Sequence, residues 1–324
     1  MRTFVTGVAG FAGSHLAERL LGSGAEVWGL VASASETGNL AACQASLAGS
    51  RLRLVAGDLC DAPGRAAILA ECRPEAIYHL AATSSVRHSL LRPTETFRVN
   101  VLGTQALLEA ARGAGGRPRI LLVGSAEAYG ESARKPRPLT EEDPLLPVSP
   151  YGCSKAAAEL LACRYGRESG LEIVRVRPFP HTGPRHARAF VFPDFAHQVT
   201  EIAAGRRPPR IEAGDLDIRR DVTDVADMVQ AYLLALEAGE PGSVYNLCSE
   251  RVVSLREVLE RLAALAGIEI EIAVRAERLR PHDIPVLSGS CRAFRTRTGW
   301  RPTRPLDETL KDLLAYAHAQ LPPA

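Results

Sequence analysis

Along the first half of this chain, runs with a strand-like pattern take turns with runs of helical period. Arg2 to Thr6 (RTFVT) is a short β-rich stretch. After GVAGFAG, the run SHLAERLLGSG has its apolar positions at helical spacing. AEVWGLVAS reads as a second strand, RLRLVAGDLCD as a third and PEAIYHLAA as a fourth. TFRVNVLGTQALLEAAR is an amphipathic helix with Asn100 inside it. PRILLVGSAEAYG is a fifth strand that leads into Ser125. This alternation predicts an α/β fold with a doubly wound parallel sheet and helices on both faces.

The alternation breaks after GLEIVRVRP. Residues 178–217 are rich in Pro, Arg and aromatics, which predicts a substrate-binding insertion rather than another strand-helix unit. RRDVTDVADMVQAYLLAL resumes as a helix and SVYNLCS as a last strand. A small helical lobe, SLREVLERLAALAG, and a tail follow. The expected organisation is a dinucleotide-binding domain over 1–177, with 218–248 returning to it. A smaller C-terminal lobe for the substrate is built from 178–217 and 249–324.

Composition narrows the class. The 324 residues are 46% hydrophobic and 23% charged, enough for a large core. A formal net charge of +2 gives no reason to expect nucleic acid as a partner. The seven cysteines are scattered without a Cys-x-x-Cys pair, which points to reduced thiols and a cytoplasmic setting. No apolar run reaches the ~18 residues of a membrane span. The N-terminus enters a strand at once, leaving no room for a signal peptide.

The first chemical signal is Gly7-x-x-Gly10-x-x-Gly13 between a strand and a helix. The first glycine permits a tight turn. The second admits a pyrophosphate to the backbone, and the third lets the helix pack on the strand. The amides of Phe11 and Ala12 open the helix and would face the phosphates. This is a Rossmann-type dinucleotide site. The second strand ends in Val31, Ala32 and Ser33, with no acid to repel a 2′-phosphate and no arginine to grip one. The expected cofactor is therefore NADP, with NAD possible. Asp58, followed by Leu59, is placed to accept from the adenine amino group or, alternatively, to cap a helix. The small Ala81 and Ala82 let the cofactor lie close to the backbone.

The second signal lies between Gly124 and Lys155, where VGSAEAYG precedes a Pro-rich loop and SPYGCSK. Tyr151 and Lys155 share one helix face, one turn apart. A lysine beside a tyrosine favours the phenolate and brings a pKa near ~10 closer to the working pH. Ser125, on the preceding strand end, could hold the reacting oxygen. The chain has only three lysines (Lys135, Lys155, Lys311), so a lysine here marks a specific demand. Cys153, between the pair, points to another face and is read as packing. No second His, Cys or acid stands at ligand spacing from His181, so no metal is expected.

Together the glycine turn, GDL, HLAA, Asn100, the Ser-x-Glu-x-Tyr-Gly run and YGCSK resemble the extended short-chain dehydrogenase/reductase family over nearly the whole chain. That resemblance implies a nicotinamide enzyme acting on a nucleotide-linked sugar. It implies Ser125, Tyr151 and Lys155 as catalytic residues, with Asn100 supporting the lysine through a water. RPFPHTGPRHARAFVFPDFA is similar to the subgroup of reductases acting on GDP-4-keto-6-deoxymannose and, less closely, to GDP-mannose 4,6-dehydratases. Pro180, Ser290 and Arg292 depart from the subgroup's usual residues. For the substrate the resemblance implies Ser84, Glu127, His181, Arg185, Arg220 and Arg280, the arginines suiting a diphosphate. It also implies a homodimer through a four-helix bundle of the Asn100–Arg112 and Tyr151–Gly166 helices.

The pair after Ser125 separates the reactions. A dehydratase needs a base and an acid there, and the chain has Ala126-Glu127. Alanine donates no proton, whereas ketone reduction needs only Tyr151, Lys155 and Ser125. The expected reaction is reduction of GDP-4-keto-6-deoxy-D-mannose to GDP-D-rhamnose or its 4-epimer. The alternatives are a 4,6-dehydratase, a 4-epimerase or a non-catalytic NADP-sensing regulator. Glu127 remains open as a base.

Overall fold

The computed structural model describes residues 1–33, 37–43, 51–114, 116–279 and 284–322. Seven strands form the main sheet: β1 (Arg2–Thr6), β2 (Glu26–Val31), β3 (Leu52–Ala56), β4 (Ala76–His79), β5 (Arg119–Val123), β6 (Ile173–Pro178) and β7 (Val244–Leu247). They are all parallel, in the order β7-β6-β5-β4-β1-β2-β3. The order reverses between β1 and β4, which opens a crevice at the strand ends there.

Both faces of the sheet are buried, and successive strand residues divide between them. Val5, Leu121, Val123, Val174 and Val176 face one apolar cluster. Phe4, Ile120, Leu122 and Ile173 face the other. The first cluster is covered by helix α1 (Phe11–Gly22), through Leu16, Ala17 and Leu20. The second is covered by α2 (Ala62–Cys72), α3 (Gly103–Gly113) and α4 (Pro150–Ser169). Strands with two buried faces require this near-continuous Val, Ile and Leu content.

The C-terminal lobe has its own core. Helix α5 (Val191–Ala203) packs Phe192, Phe195 and Val199 against Ile211 and Ala213 of the strand Arg210–Ala213. Thus 178–217 holds a regular helix and strand as well as loop. The periodicity had suggested a helix from Arg219, but RRDVTD is not helical. Arg219–Asp221 pairs with Val252–Ser254 and with Val286–Leu287. Helix α6 (Val225–Ala238) begins only at Val225, because Asp224 caps it by accepting from the Ala226 amide at 2.7 Å. Helices α7 (Leu255–Ala266) and α8 (Leu306–Ala319) complete the lobe core, and α6 returns to cover the first face of the main sheet.

Candidate active site

The glycine turn is built around contacts that no side chain could share. Gly7 has φ +73°, and a Cβ on it would lie 2.8 Å from the Ala81 amide nitrogen. A Cβ on Gly13 would lie 2.0 Å from the Gly7 carbonyl oxygen. Gly10 precedes α1 with no capping side chain, so the amides of that first turn remain available for a phosphate. A cavity of about 630 Å³ runs from this turn past Val31 and Ala32 to Asp58, Leu59 and Ala81. Its shape and its small, backbone-rich lining fit an extended dinucleotide.

Asp58 is not the cap of the following helix. Asp61 holds that position, accepting from Gly64 at 3.2 Å. Asp58 accepts from the Cys60 amide at 2.9 Å and pairs with Arg98 at 3.0 Å, and these two contacts hold its carboxyl below its ordinary range. Arg98 also lines the cavity. Sequence reasoning missed it because its helix is far from β3 in the chain.

Tyr151, Lys155 and Ser125 converge at the end of β5. Helix α4 starts at Pro150, with Ser149 accepting from Gly152 at 3.0 Å and Gly170 ending it at φ +64°. Ser125 stands close enough to the Tyr151 hydroxyl to favour its ionised form, and its own Oγ accepts from the Glu127 amide at 3.2 Å. The Lys155 ammonium donates to the Val123 carbonyl at 2.8 Å. Burial pulls Lys155 down to about 8. Burial pushes Tyr151 up to about 12, against the pull of Ser125 and with help from the Glu127 charge. The expected lowering of Tyr151 by Lys155 is therefore absent. The lysine is drawn to a backbone carbonyl, and desolvation of the phenol is the larger effect.

Asn100 occupies a π-helical turn, Arg98–Leu102, immediately before α3. Its Oδ1 accepts from the Thr83 amide at 2.8 Å. Its Nδ2 donates to the Thr83 carbonyl at 3.1 Å and to Ser154 Oγ at 2.9 Å. Asn100 thus ties the loop after β4 to the turn of α4 that precedes Lys155. The π-helical turn is a signature that often accompanies functional positions.

The other named residues divide. Glu127 stands close enough to Tyr151 to act on it electrostatically. Ser84 is exposed on the loop after β4, next to Thr83. His181 stacks on Phe11 with centroids 5.7 Å apart, and burial lowers its pKa against the Phe179 carbonyl. It is therefore at the glycine turn. The Arg185 guanidinium is ion-paired with Glu18 and bonded to His15, both on α1. Arg220 donates to the Arg219 and Ile284 carbonyls at 3.0 and 2.8 Å, in the small lobe sheet. Arg280 lies outside the described residues. Among the described residues, no group of three or more His, Cys, Asp or Glu could hold a metal.

Two further residues belong to this frame. Glu159 follows Lys155 by four positions, on the face of α4 that carries Tyr151. It receives two hydrogen bonds from Arg177 of β6, at 2.9 and 2.6 Å. The spacing Tyr-x-x-x-Lys-x-x-x-Glu was the signal that could have found it.

Comparison with known proteins shows the family. The family model described as GDP-mannose 4,6 dehydratase matches residues 4–313. GDP-6-deoxy-D-mannose reductase of Pseudomonas aeruginosa is 33% identical over 314 residues, covering 97% of this chain and 96% of the relative. UDP-glucose 4-epimerase of Mycolicibacterium smegmatis is 34% identical over 320 residues, covering 98% of each. The solved structure of RMD from Pseudomonas aeruginosa complexed with NADPH superposes with a TM-score of 0.82 at 30% identity, covering 99% of this chain and 100% of that one.

Proposed function

The chain belongs to the GDP-mannose 4,6 dehydratase family of extended short-chain dehydrogenase/reductases, whose members are NAD(P)-dependent nucleotide-sugar enzymes, and we propose that it reduces the 4-keto group of a nucleotide-linked 6-deoxy sugar. The best single substrate is GDP-4-keto-6-deoxy-D-mannose, the product GDP-D-rhamnose or its 4-epimer, and the cofactor NADPH.

One observation carries the reading. Ser125, Tyr151 and Lys155 come together at the end of β5, while the position after Ser125 is Ala126, buried in the core. A 4,6-elimination needs a proton donor for the leaving hydroxyl, and a methyl side chain supplies none. Reduction needs one proton at the ketone oxygen and no second acid.

When bound, the nicotinamide would supply the hydride. Gly7, Gly10 and Gly13 hold the pyrophosphate, and Asp58 with Leu59 bounds the adenine end. Ser125 donates to the ketone oxygen and orients it. Tyr151 stays protonated until well above neutral pH and gives its proton to the forming alkoxide. The charged Lys155 steadies the tyrosinate that remains and holds the cofactor ribose. Glu127 has no required step in a reduction and contacts the sugar. His181 walls the pocket. Arg220 and Arg280 bind the diphosphate and Ser84 the sugar. Arg185 serves the substrate through the loop it anchors on α1.

Two copies would associate through the Asn100–Arg112 and Tyr151–Gly166 helices, where Leu102 and Leu160 are exposed, Leu160 at 67%.

The test is NADPH absorbance on mixing the protein with GDP-4-keto-6-deoxymannose, with GDP-mannose plus NADP as a parallel reaction analysed by mass. Stoichiometric loss of NADPH supports the reductase. Silence there, with water lost from GDP-mannose, would make the chain a dehydratase and Glu127 sufficient for both proton transfers. Interconversion of a sugar at carbon 4 without net loss of cofactor would make it an epimerase.

A further inference from the structure

We propose that His79 is a positioning residue for the active site, acting through a one-way chain of buried hydrogen bonds that joins the cofactor turn to the catalytic helix. The chain can be followed atom by atom. The Ala81 amide donates to Thr6 Oγ1 at 3.2 Å. Thr6 Oγ1 lies 2.7 Å from His79 Nδ1, and His79 Nε2 lies 2.8 Å from Thr104 Oγ1. Thr104 Oγ1 donates to the Asn100 carbonyl at 2.6 Å. Asn100 Nδ2 donates to Ser154 Oγ at 2.9 Å, and Ser154 Oγ donates to the Tyr151 carbonyl at 2.7 Å.

The direction is forced by counting hydrogens. A threonine hydroxyl has one proton. Thr104 spends its proton on the Asn100 carbonyl, so toward His79 it can only accept. His79 must therefore carry its proton on Nε2, and its Nδ1 must accept from Thr6. Thr6 then has its proton committed and its lone pairs open to the Ala81 amide. Every side chain in the series is buried. Burial keeps His79 neutral, its pKa pulled down to about 3, which also spares Lys155 a neighbouring cation.

The fold explains why a histidine is here. Thr6 and His79 are direct partners in the parallel register of β1 and β4, at the strand ends where the sheet order reverses. Imidazole is the side chain that can accept on one nitrogen and donate from the other across the gap from β1 to α3. An amide could match one of these bonds but is too short to span both. The consequence is a fixed Asn100. Its carbonyl is held by Thr104 and its amide by Thr83 and Ser154. The turn of α4 carrying Tyr151 and Lys155 is therefore registered against Gly7 and Ala81, which line the cavity. A shift of about 1 Å between reacting groups can cost on the order of a hundredfold in rate, so such registration bears on turnover.

This inference rests on the reductase reading only for its kinetic arm. The first experiment needs no substrate. Long-range proton-nitrogen spectra of protein labelled in histidine with 15N, with His79 assigned by the signal lost in His79→Gln, should show a proton on Nε2 and a bare Nδ1 at pH 7. The opposite tautomer, or an imidazolium, would overturn the chain. The second experiment compares Thr104→Val with Thr104→Ser at equal concentrations of folded protein. Thr104→Val should lower kcat by about tenfold or more with the KM for the keto-sugar changed less than about twofold, and Thr104→Ser should restore it. Equal kcat in Thr104→Val and the unsubstituted protein, or equal loss in both variants, would sink the positioning role. If the unsubstituted protein leaves NADPH untouched with every keto-sugar offered, the reductase reading fails. The tautomer then decides the hydrogen-bond chain by itself.

Discussion

Arg177 of β6 holds Glu159 of α4 by two hydrogen bonds, at 2.9 and 2.6 Å, in a site that excludes water from both. The same guanidinium donates to the Tyr129 hydroxyl at 2.8 Å, and that hydroxyl donates to Asn246 of β7 at 2.7 Å. Glu159 is two turns from Tyr151, so the pair pins the catalytic helix to the sheet. Removing one partner leaves a buried charge without its counterion. Glu159→Ala should therefore cost about 3–5 kcal/mol in urea unfolding. Glu159→Gln keeps an acceptor for Arg177 and should cost less. A loss below about 1 kcal/mol in Glu159→Ala would mean that water or another acid replaces the carboxylate.

Lys155 should set the pH range of the proposed reduction. Its pKa of about 8 lies below that of Tyr151, at about 12, so the ammonium is the first of the two to lose its proton as pH rises. The value of kcat/KM for ketone reduction should fall through an apparent pKa near 8. Lys155→Arg keeps its charge and should lose that limb, although its turnover is lower. A flat profile to pH 10 in the unsubstituted enzyme would contradict the assignment.

The same groups give stability a pH dependence of two signs. Lys155 ordinarily titrates at 10.5 and in the fold at about 8, so between these values the unfolded chain holds the extra proton. Stability should rise with pH across that window, by on the order of 3 kcal/mol in total. Tyr151 ordinarily titrates at 10 and in the fold at about 12, so here the folded state holds the extra proton and stability falls. Lys155→Met should abolish the rise and be at least as stable at pH 7. Denaturant titrations at several pH values would detect either result.

Tyr151→Phe removes the proposed proton donor without emptying its volume. Turnover should fall by roughly two or more orders of magnitude, with NADPH affinity retained. Near-normal turnover would show that another group protonates the alkoxide. Gly7→Ala should do the opposite. The new methyl meets the backbone at Ala81, so NADPH binding by fluorescence should weaken at least about tenfold.

Leu160 tests the proposed association. The exposed Leu160 and Leu102 are apolar side chains that a second copy would cover. Sedimentation should report a dimer, and Leu160→Glu should give a monomer of unchanged helical content. A monomeric unsubstituted protein would remove that proposal.

The sequence by itself determined the order of strands and helices, the glycine turn, the Tyr-x-x-x-Lys pair and the family. Each of these is written within a few residues: a period of two or 3.6, a glycine where a turn needs it, a fixed offset along one helix. Where local pattern and long-range pairing competed, as in RRDVTD, the reading went wrong. Arg219–Asp221 became a strand because Val252–Ser254 and Val286–Leu287 run beside it, and Thr223–Asp224 because His181–Thr182 does. Only the tertiary structure decided which partners the functional groups meet. Arg185 was matched to phosphate by its chemistry, yet its left-handed backbone and the nearness of α1 give it to Glu18 and His15. Arg98 reached Asp58 across a crossover of forty residues. The tautomer of His79, the carbonyl that receives Lys155 and the direction of the Tyr151 shift all depend on burial and on donors brought from distant strands. None of these can be read from spacing, because hydrogen-bond partners and desolvation are properties of the packed chain.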